Sequence, residues 1–292
     1  MGEHKSVWTI MDALNWTADY FKQHGIPTPR LDAEVLLAHV LGAERIALYT
    51  HFDQPLSEEE RSRYRAAIKR RVDGEPVSYI RNKKEFWSRS LYVDPRVLIP
   101  RPETETVVEV VKERISEGTL PDQPAIMDMA CGSGAIALAL SSFINGRFFL
   151  VDIDPNALSV ARQNCQTYDD DGPYFLVCSD LFSAFRPGSF FDIIVSNPPY
   201  VAREDLDNLP EGIKKFEPVH ALDGGAGGIE ILKTLISQSP NFLRDGGLFA
   251  TEIAPDQVEA VTSLMKDTGA FKDLKVTPDL AGHPRVVSAR RN

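Results

Sequence analysis

The chain has 292 residues, which is enough for a large domain with a smaller companion. It is 43% hydrophobic and 25% charged, as globular proteins usually are, and no apolar run approaches the roughly 18 residues of a membrane span. The net charge of -10 disfavours a protein that binds mainly by neutralising nucleic-acid phosphates. Cys131, Cys165 and Cys178 lack metal-ligand spacing and are odd in number, so we expect no zinc or other metal site, no disulfide framework, and a cytoplasmic location.

The first 75 residues predict a small helical domain. Apolar residues recur at three- and four-residue steps over 7–24 and over 31–41, where Gly42 ends the pattern. Ser57 and Glu60 form a capping-box pattern that opens a helix running to about Val72. We therefore assign residues 1–75 to an N-terminal helical domain.

The composition changes after residue 75. Segment 76–100 contains EFWSRSLYVDPRVLIP, whose aromatic and β-branched runs are separated by turn residues and predict a β-hairpin linker. The polar loop RPETE, residues 101–105, leads into the helical stripe of TVVEVVKERI. From about residue 124, short apolar runs such as AIMDMA, GRFFLVDID, YFLVCSD and FDIIVSN alternate with helical patterns. This alternation indicates an α/β domain over 101–292, with a parallel sheet and helices on both faces.

The segment DMACGSG predicts a glycine-rich turn between a strand and a helix. Gly132 and Gly134 let the backbone approach a ligand closely, and the following helix N-terminus presents free N–H groups. Such a turn needs glycine with or without a ligand, so it is weak evidence alone. The next strand ends in Asp152, about 20 residues further on, where a carboxylate can accept from both hydroxyls of a ribose. The two features together predict a nucleotide-like cofactor.

That cofactor is either a dinucleotide or S-adenosylmethionine. The dinucleotide pattern G-x-G-x-x-G is absent, because Ala137 stands where its third glycine would fall. Asp128 ends the first strand, where a carboxylate would repel a pyrophosphate but suit the cationic methionine portion of a sulfonium cofactor. The sequence therefore favours S-adenosylmethionine.

The segment SDLF closes the third strand of this domain. Asp180 can accept from an adenine amino group while Leu181 and Phe182 pack against the ring. The alternative is a helix cap followed by a core aromatic residue, and the sequence leaves both open.

The fourth strand, FDIIVS, ends in NPPY. Ligands of open α/β sheets lie beyond the carboxyl ends of strands, so we expect Asn197 beside the cofactor. The Asn197 side-chain oxygen and the Pro198 carbonyl can accept the two hydrogens of a planar NH2 group, and Tyr200 offers it a flat face. Pro198 and Pro199 fix φ and thereby hold these acceptors in place.

Such a clamp suits methyl transfer to a nitrogen whose lone pair is delocalised. Two oriented acceptors polarise the nitrogen, stabilise its developing positive charge, and hold it in line with the methyl group. We therefore predict Asn197, Pro198 and Tyr200 as catalytic residues and Asn197, Pro198, Pro199 and Tyr200 as the substrate clamp.

Several segments resemble the release-factor glutamine methyltransferases, class I enzymes that depend on S-adenosylmethionine. These segments are LDAEVLLAHVLG, GEPVSYI, EFW, VLIPRPETE, NPPYV and FEPVHAL. The resemblance implies a helical N-terminal domain that docks release factors, a β-hairpin linker and a seven-stranded Rossmann-like catalytic domain. It also implies methylation of N5 of the glutamine in the Gly-Gly-Gln motif of peptide chain release factors.

Carried onto this chain, the resemblance implies cofactor contacts from residues 130–134, Asp152, Phe182 and Asn197. The full predicted cofactor set is Asp128, Ala130, Cys131, Gly132, Ser133, Gly134, Asp152, Asp180, Leu181, Phe182 and Asn197. The chain departs from the family at Ala130, where glycine is usual; alanine fits there if φ is negative. Ala254 and Pro255 replace a more usual Gly-Tyr, and SYIRNKKEFW is more basic than is typical.

Two other functions are compatible with the clamp or the fold. A nucleic-acid methyltransferase acting on adenine or guanine would use the same clamp, but the acidic charge and the lack of a target-recognition module disfavour it. A non-catalytic protein of the same fold would bind a partner without needing Asn197. We expect release factors as the protein substrate, no stable nucleic-acid partner, no membrane association and a monomer.

Overall fold

The computed structural model describes residues 7–118, 120–168, 172–188 and 190–292. It divides the chain into two compact units, residues 1–82 and 83–292. The first six residues of the predicted helical domain lie outside the described residues.

The N-terminal unit is helical, as predicted. It contains α1 (Ile10–Gln23), α2 (Pro29–Leu41), α3 (Ala47–Thr50), α4 (Glu58–Val72) and α5 (Val77–Arg81). Leu14, Phe21, Leu36 and Leu37 form part of its fully buried core, because the apolar stripes of α1 and α2 face each other. Gly42 ends α2 in the left-handed conformation.

Two buried carboxylates of α2 form ion pairs within this unit. Glu34 is 3% exposed and accepts from Arg30 Nε and Arg45 Nη2, each at 2.7 Å. Asp32 accepts from Arg71 Nε of α4 at 2.7 Å. The acidic residues within LDAEVLLAHVLG therefore serve the packing of the helical unit.

The second unit opens with a short hairpin, β1 (Lys84–Phe86) and β2 (Arg89–Leu91), inside the segment 76–100 for which the sequence predicts a hairpin linker. The start of that segment is not part of a hairpin, because α5 occupies it. Helix α6 (Glu105–Ser116) follows the RPETE loop. The remaining helices are α7 (Ala135–Ser141), α8 (Pro155–Thr167), α9 (Glu211–Phe216), α10 (Glu230–Gln238) and α11 (Val258–Asp267).

The large sheet has seven strands. They are β3 (Ala125–Met129), β4 (Arg147–Asp152), β5 (Tyr174–Cys178), β6 (Phe191–Ser196), β7 (Leu243–Glu252), β8 (Phe271–Pro278) and β9 (Pro284–Arg291). Their order across the sheet is β5-β4-β3-β6-β7-β9-β8. Strand β9 is antiparallel to both of its neighbours, whereas β3 to β7 pair in parallel. The predicted Rossmann-like α/β fold is confirmed.

Both faces of the sheet are covered by helices. Along β3, Ile126 packs into the core under α6, α7 and α8, while Met127 packs into the opposite core under α10 and α11. Every residue of β3 and β6 is buried, as expected for central parallel strands. Among the described residues, no helix is both long and apolar enough to cross a membrane.

We predict that removing the cap of α4 destabilises the helical unit. Ser57 Oγ accepts from the Glu60 N–H at 3.2 Å, and Glu60 Oε2 accepts from the Ser57 N–H at 2.8 Å. Ser57→Ala should therefore cost about 1 kcal/mol of unfolding free energy, measured by calorimetry. Ser62→Ala, at an exposed position inside the same helix, is the control and should cost less than about 0.5 kcal/mol. Equal losses in both variants would contradict this account of the cap.

Candidate active site

The candidate site lies where the chain order across the sheet reverses. From β3 the chain continues to β4 on one side, and later to β6 on the other side, so the carboxyl ends of β3 and β6 flank a crevice. Ligands of open α/β sheets bind at such a point. A cavity of about 290 Å³ is present here, and its wall includes Ala130, Asp152, Asp180 and Asn197.

The glycine-rich turn after β3 forms one wall of the cavity. Ala130, Cys131, Gly132 and Ser133 all line it, whereas Gly134 does not. Gly132 has φ +52°, and a Cβ there would meet no atom within 4 Å, so the turn leaves open space for a ligand. The condition under which we expect alanine to fit, a negative φ, is not met at Ala130, because its φ is +57°. This left-handed conformation strains a residue that has a Cβ.

Asp152 ends β4 with its carboxylate fixed at the cavity wall. Its Oδ2 accepts from the Gly132 N–H at 2.9 Å and its Oδ1 accepts from the Asp154 N–H at 3.0 Å. Each oxygen keeps a second lone pair for a ligand hydroxyl. Burial raises the pKa of Asp152, while the two backbone hydrogen bonds lower it. The position suits the predicted ribose contact, which stays a prediction.

Asp128 lies beneath the glycine turn rather than in the cavity wall. Its side chain is 1% exposed, and Oδ2 accepts from the Ala137 N–H in the first turn of α7 at 3.0 Å. Its Oδ1 is buried without a hydrogen-bond partner. Burial, together with the charge of Asp152, raises the pKa of Asp128 to about 7. The predicted contact with the methionine portion of the cofactor is therefore not a direct wall contact in this structure.

The SDLF segment divides between cavity and core. Asp180 and Leu181 line the cavity. Phe182 is 2% exposed and stacks on Phe242 with ring centroids 4.4 Å apart, so it occupies the core position that the sequence left open. A role for Asp180 in binding an adenine amino group stays a prediction.

Asn197 follows β6 and reaches the cavity from the opposite side. Its Nδ2 donates to Thr104 Oγ1 at 3.0 Å, which leaves the side-chain oxygen Oδ1 as the acceptor for a ligand. Thr104 belongs to the RPETE loop and is 3% exposed. This hydrogen bond joins the RPETE and NPPY segments, two of those on which the family resemblance is based.

Hydrogen bonds from outside the cavity wall hold the rest of NPPY. Pro199 lines the cavity, whereas Pro198 and Tyr200 do not. The Tyr200 hydroxyl donates to Glu252 Oε1 at 3.0 Å, and the Tyr200 carbonyl accepts from Gln257 Nε2 at 2.9 Å. Burial and the carboxylate of Glu252 raise the pKa of Tyr200, so the hydroxyl stays protonated.

Glu217 fixes the loop that carries Thr104. It is 5% exposed, and it accepts from the Ile99 N–H at 3.2 Å and from Arg101 Nη2 at 2.6 Å. The FEPVHAL segment thereby holds the start of RPETE. His220 of the same segment lines the cavity, with Nε2 3.4 Å from Asp154 Oδ2.

Sequence reasoning missed the individual roles of Thr104, Glu217 and Glu252. The first two lie within segments that carry the family resemblance, but nothing in the spacing assigns them partners 93 and 116 residues away. Glu252 had a usable signal, because an acidic residue at the end of the apolar run GGLFAT resembles Asp152 at the end of β4.

Comparisons with known proteins decide the family. Residues 12–81 match the PrmC N-terminal domain and residues 105–211 match the Methyltransferase small domain. The release factor glutamine methyltransferase of Rhodopirellula baltica is 40% identical over 287 residues, which cover 97% of each chain. That of Koribacter versatilis is 39% identical over 284 residues, covering 97% of this chain and 99% of the relative. The chain belongs to the release factor glutamine methyltransferase family.

This membership confirms the predicted enzyme class and the predicted methyl donor, S-adenosylmethionine. Among solved structures, the hMettl16 catalytic domain in complex with MAT2A 3'UTR hairpin 6 matches with a TM-score of 0.55. The match is 15% identical and covers 81% of this chain and 82% of that one. Identity this low shows a shared fold alone.

We predict that Ala130→Gly stabilises the protein. Glycine adopts a positive φ without a Cβ clash, so the free energy of unfolding should rise by about 1 kcal/mol. Urea unfolding without cofactor measures this change. Ala139→Gly, inside α7, is the control with the opposite sign, because glycine weakens a helix by about 1 kcal/mol. A loss of stability in Ala130→Gly would show that the turn is not strained at this residue.

We predict that Asp128 makes the protein less stable as the pH rises. Its folded pKa of about 7 lies above the ordinary value of 3.8, so between these values the native state holds a proton that the unfolded state has lost. The contribution of Asp128 to the free energy of unfolding is fully present below pH 3.8 and is lost as the pH rises to about 7. Asp128→Asn cannot titrate, so its free energy of unfolding relative to the wild type should increase from pH 4.5 to pH 7.5. Urea unfolding at about four pH values in this range tests this, and a constant difference would contradict it.

Proposed function

We propose that the protein transfers a methyl group from S-adenosylmethionine to N5 of the glutamine in the Gly-Gly-Gln motif of peptide chain release factors. The observation that carries the proposal is the orientation of Asn197, whose Nδ2 is occupied by Thr104 and whose Oδ1 is left for a substrate N–H. The substrate class is supported by the curated relatives, which are 36–40% identical over nearly the full chain and share the name release factor glutamine methyltransferase.

The residues around the cavity fit the cofactor. The turn of residues 130–133 provides close backbone approach, and Asp152 offers two oriented carboxylate oxygens to ribose hydroxyls. Asp180 and Leu181 lie at the wall where the adenine would be held. The carboxylate of Asp152 at the cavity wall favours a cationic ligand. When bound, S-adenosylmethionine supplies an electrophilic methyl group on a sulfonium sulfur.

The protein's contribution is to hold and polarise the amide nitrogen. Asn197 Oδ1 and the Pro198 carbonyl accept its two hydrogens, which raises electron density on the nitrogen and fixes its direction. Bound S-adenosylmethionine would supply the methyl group to the nitrogen lone pair and would keep the electrons of the broken C–S bond on its sulfur. One N–H proton then leaves to water, so no strong general base is required.

The two alternative functions are not favoured. Neither a base methyltransferase nor a non-catalytic binding protein agrees with the shared name and near-complete coverage of the relatives. We also propose that the helical unit docks the release factor, that the enzyme acts as a monomer in the cytoplasm, and that it has no stable nucleic-acid partner. Trp16 and Phe52 of that unit are 48% and 51% exposed, and aromatic residues of this kind are enriched at interfaces.

The proposal is tested by methyl transfer from labelled S-adenosylmethionine. We expect label on a purified release factor, no label on its Gly-Gly-Ala variant, and no label on ribosomal RNA or DNA. Label only on nucleic acid would overturn the substrate assignment.

Asn197→Ala tests the clamp in the same assay. It should lower turnover by about 100-fold or more, because it removes an acceptor used in the transition state. Cofactor affinity, measured by calorimetry, should change much less. Asn208→Ala, at an exposed position of the same unit, is the control and should keep normal turnover. Near-normal turnover of Asn197→Ala would refute the clamp.

A further inference from the structure

Residues 92–104 form a segment that we call the strap. It runs from the end of the hairpin at Leu91 to the start of α6 at Glu105. The residues of the strap that line the cavity are Arg96, Val97, Leu98, Pro100 and Thr104. Residues that follow β3, β4 and β6 line the same cavity. The cavity therefore lies between the strap and the carboxyl ends of these strands.

Both ends of the strap are bonded to elements around the crevice. At one end, Asn164 of α8 is 2% exposed; its Oδ1 accepts from the Tyr92 N–H at 2.7 Å, and its Nδ2 donates to the Tyr92 carbonyl at 3.0 Å. At the other end, Thr104 Oγ1 accepts from Asn197 Nδ2 at 3.0 Å. Helix α8 follows β4 and Asn197 follows β6, so the strap crosses the crevice from one side to the other.

Glu217 holds the middle of the strap. Its Oε2 accepts from the Ile99 N–H at 3.2 Å, and its Oε1 accepts from Arg101 Nη2 at 2.6 Å. Both partners of the bond to Arg101 are charged, and such hydrogen bonds are stronger than neutral ones. Three residues shortly after Glu217 also line the cavity, namely His220, Ala221 and Asp223. One buried carboxylate thus joins two separate parts of the cavity wall.

We infer that Glu217 is a positioning residue that keeps the strap closed over S-adenosylmethionine and slows the release of this cofactor. Glu217 is not part of the cavity wall, so it acts through the strap, where Ile99 and Arg101 flank the wall residue Pro100. A wall segment that is ordered in advance costs less entropy when a ligand binds. The inference rests on the proposed function in one respect, the placement of the cofactor in this cavity.

Glu217→Gln tests this role and keeps the shape of the side chain. Glutamine still offers an oxygen to the Ile99 N–H, but it has no charge for Arg101. We expect the dissociation rate of S-adenosylmethionine to rise about 10-fold, and its Kd to rise by a similar factor. Turnover at saturating cofactor should change by less than about threefold, because the bond between Asn197 and Thr104 remains. Calorimetry measures Kd, and the exchange of bound labelled cofactor for excess unlabelled cofactor measures the dissociation rate.

Asp192→Asn is the matched control. Asp192 is also a buried carboxylate with one backbone and one arginine donor, because it accepts from the Ala125 N–H at 2.8 Å and from Arg244 Nη1 at 3.0 Å. It lies near the amino end of β6, whereas the cavity lies beyond the carboxyl end of that strand. Asp192→Asn should lower the unfolding temperature, as Glu217→Gln does, but it should keep the Kd and dissociation rate of the cofactor within about twofold of the wild type.

The pairing of Glu217 with Arg101 has a test of its own. Arg101→Gln should raise the dissociation rate of the cofactor about 10-fold, and the double variant with Glu217→Gln should raise it no further. A rise of about 100-fold in the double variant would show two independent effects and would contradict the pairing. Amide hydrogen exchange of the strap in the cofactor-free enzyme should be faster in both single variants than in Asp192→Asn.

Asp152→Asn separates this inference from the proposed function. It should weaken cofactor binding by about 10-fold or more, because Asp152 lies at the wall where the ribose is placed. Wild-type affinity in Asp152→Asn would overturn the placement of the cofactor, and the inference with it. If Asp152→Asn binds weakly, an unchanged dissociation rate in Glu217→Gln, or an equal rise in Asp192→Asn, would overturn the role of Glu217 alone. The binding measurements need no release factor, so they decide the inference independently of the substrate.

Discussion

The parallel pairing of β3 with β4 and β6 is the constraint on which the site depends. Every residue of β3 is buried. Strand β4 lies on one side of β3 and β6 on the other, so the connections after β3 and β6 leave the sheet in opposite directions. The turn after β3, Asp152 after β4 and Asn197 after β6 consequently surround one crevice. Residues almost 70 positions apart in the chain become neighbours because ladder hydrogen bonds fix the strand register.

Three carboxylates at the carboxyl ends of strands are buried, which is energetically unfavourable for their charged forms. Asp128, Asp152 and Glu252 are each less than 9% exposed, and burial raises the pKa of all three. Each accepts from at least one oriented donor: backbone N–H groups for Asp128 and Asp152, and the Tyr200 hydroxyl for Glu252. Carboxylates with shifted pKa values that lie around one crevice are typical of functional sites. At such sites a fixed electrostatic environment lowers the stability of the fold.

The segments of the family resemblance have distinct physical tasks. In the helical unit, LDAEVLLAHVLG supplies Asp32 for an ion pair with α4 and Glu34 for an ion pair with Arg45 in the loop after α2. In the second unit, FEPVHAL uses Glu217 to hold the RPETE loop, and RPETE uses Thr104 to hold Asn197. Behind NPPY, Gln257 donates both to the Tyr200 carbonyl and to the Gly228 carbonyl. A Cβ at Gly228 would lie 2.2 Å from the Tyr200 carbonyl, so this close approach requires glycine.

Local pattern determined the elements and most of the cavity wall. Apolar periodicity and the Ser57–Glu60 cap predicted the helices, and the glycine turn, Asp152 and Asn197 were readable because each follows an apolar strand pattern. Tertiary structure alone decided the rest. The φ of +57° at Ala130 arises from how the turn leaves β3, and the place of Phe182 is decided by packing on Phe242. The bond between Asn197 and Thr104 spans 93 residues, and no local pattern encodes the partner of a side chain at that separation. The sequence therefore determined which residues are candidates for the chemistry, and the folded sheet determined which of them line the cavity.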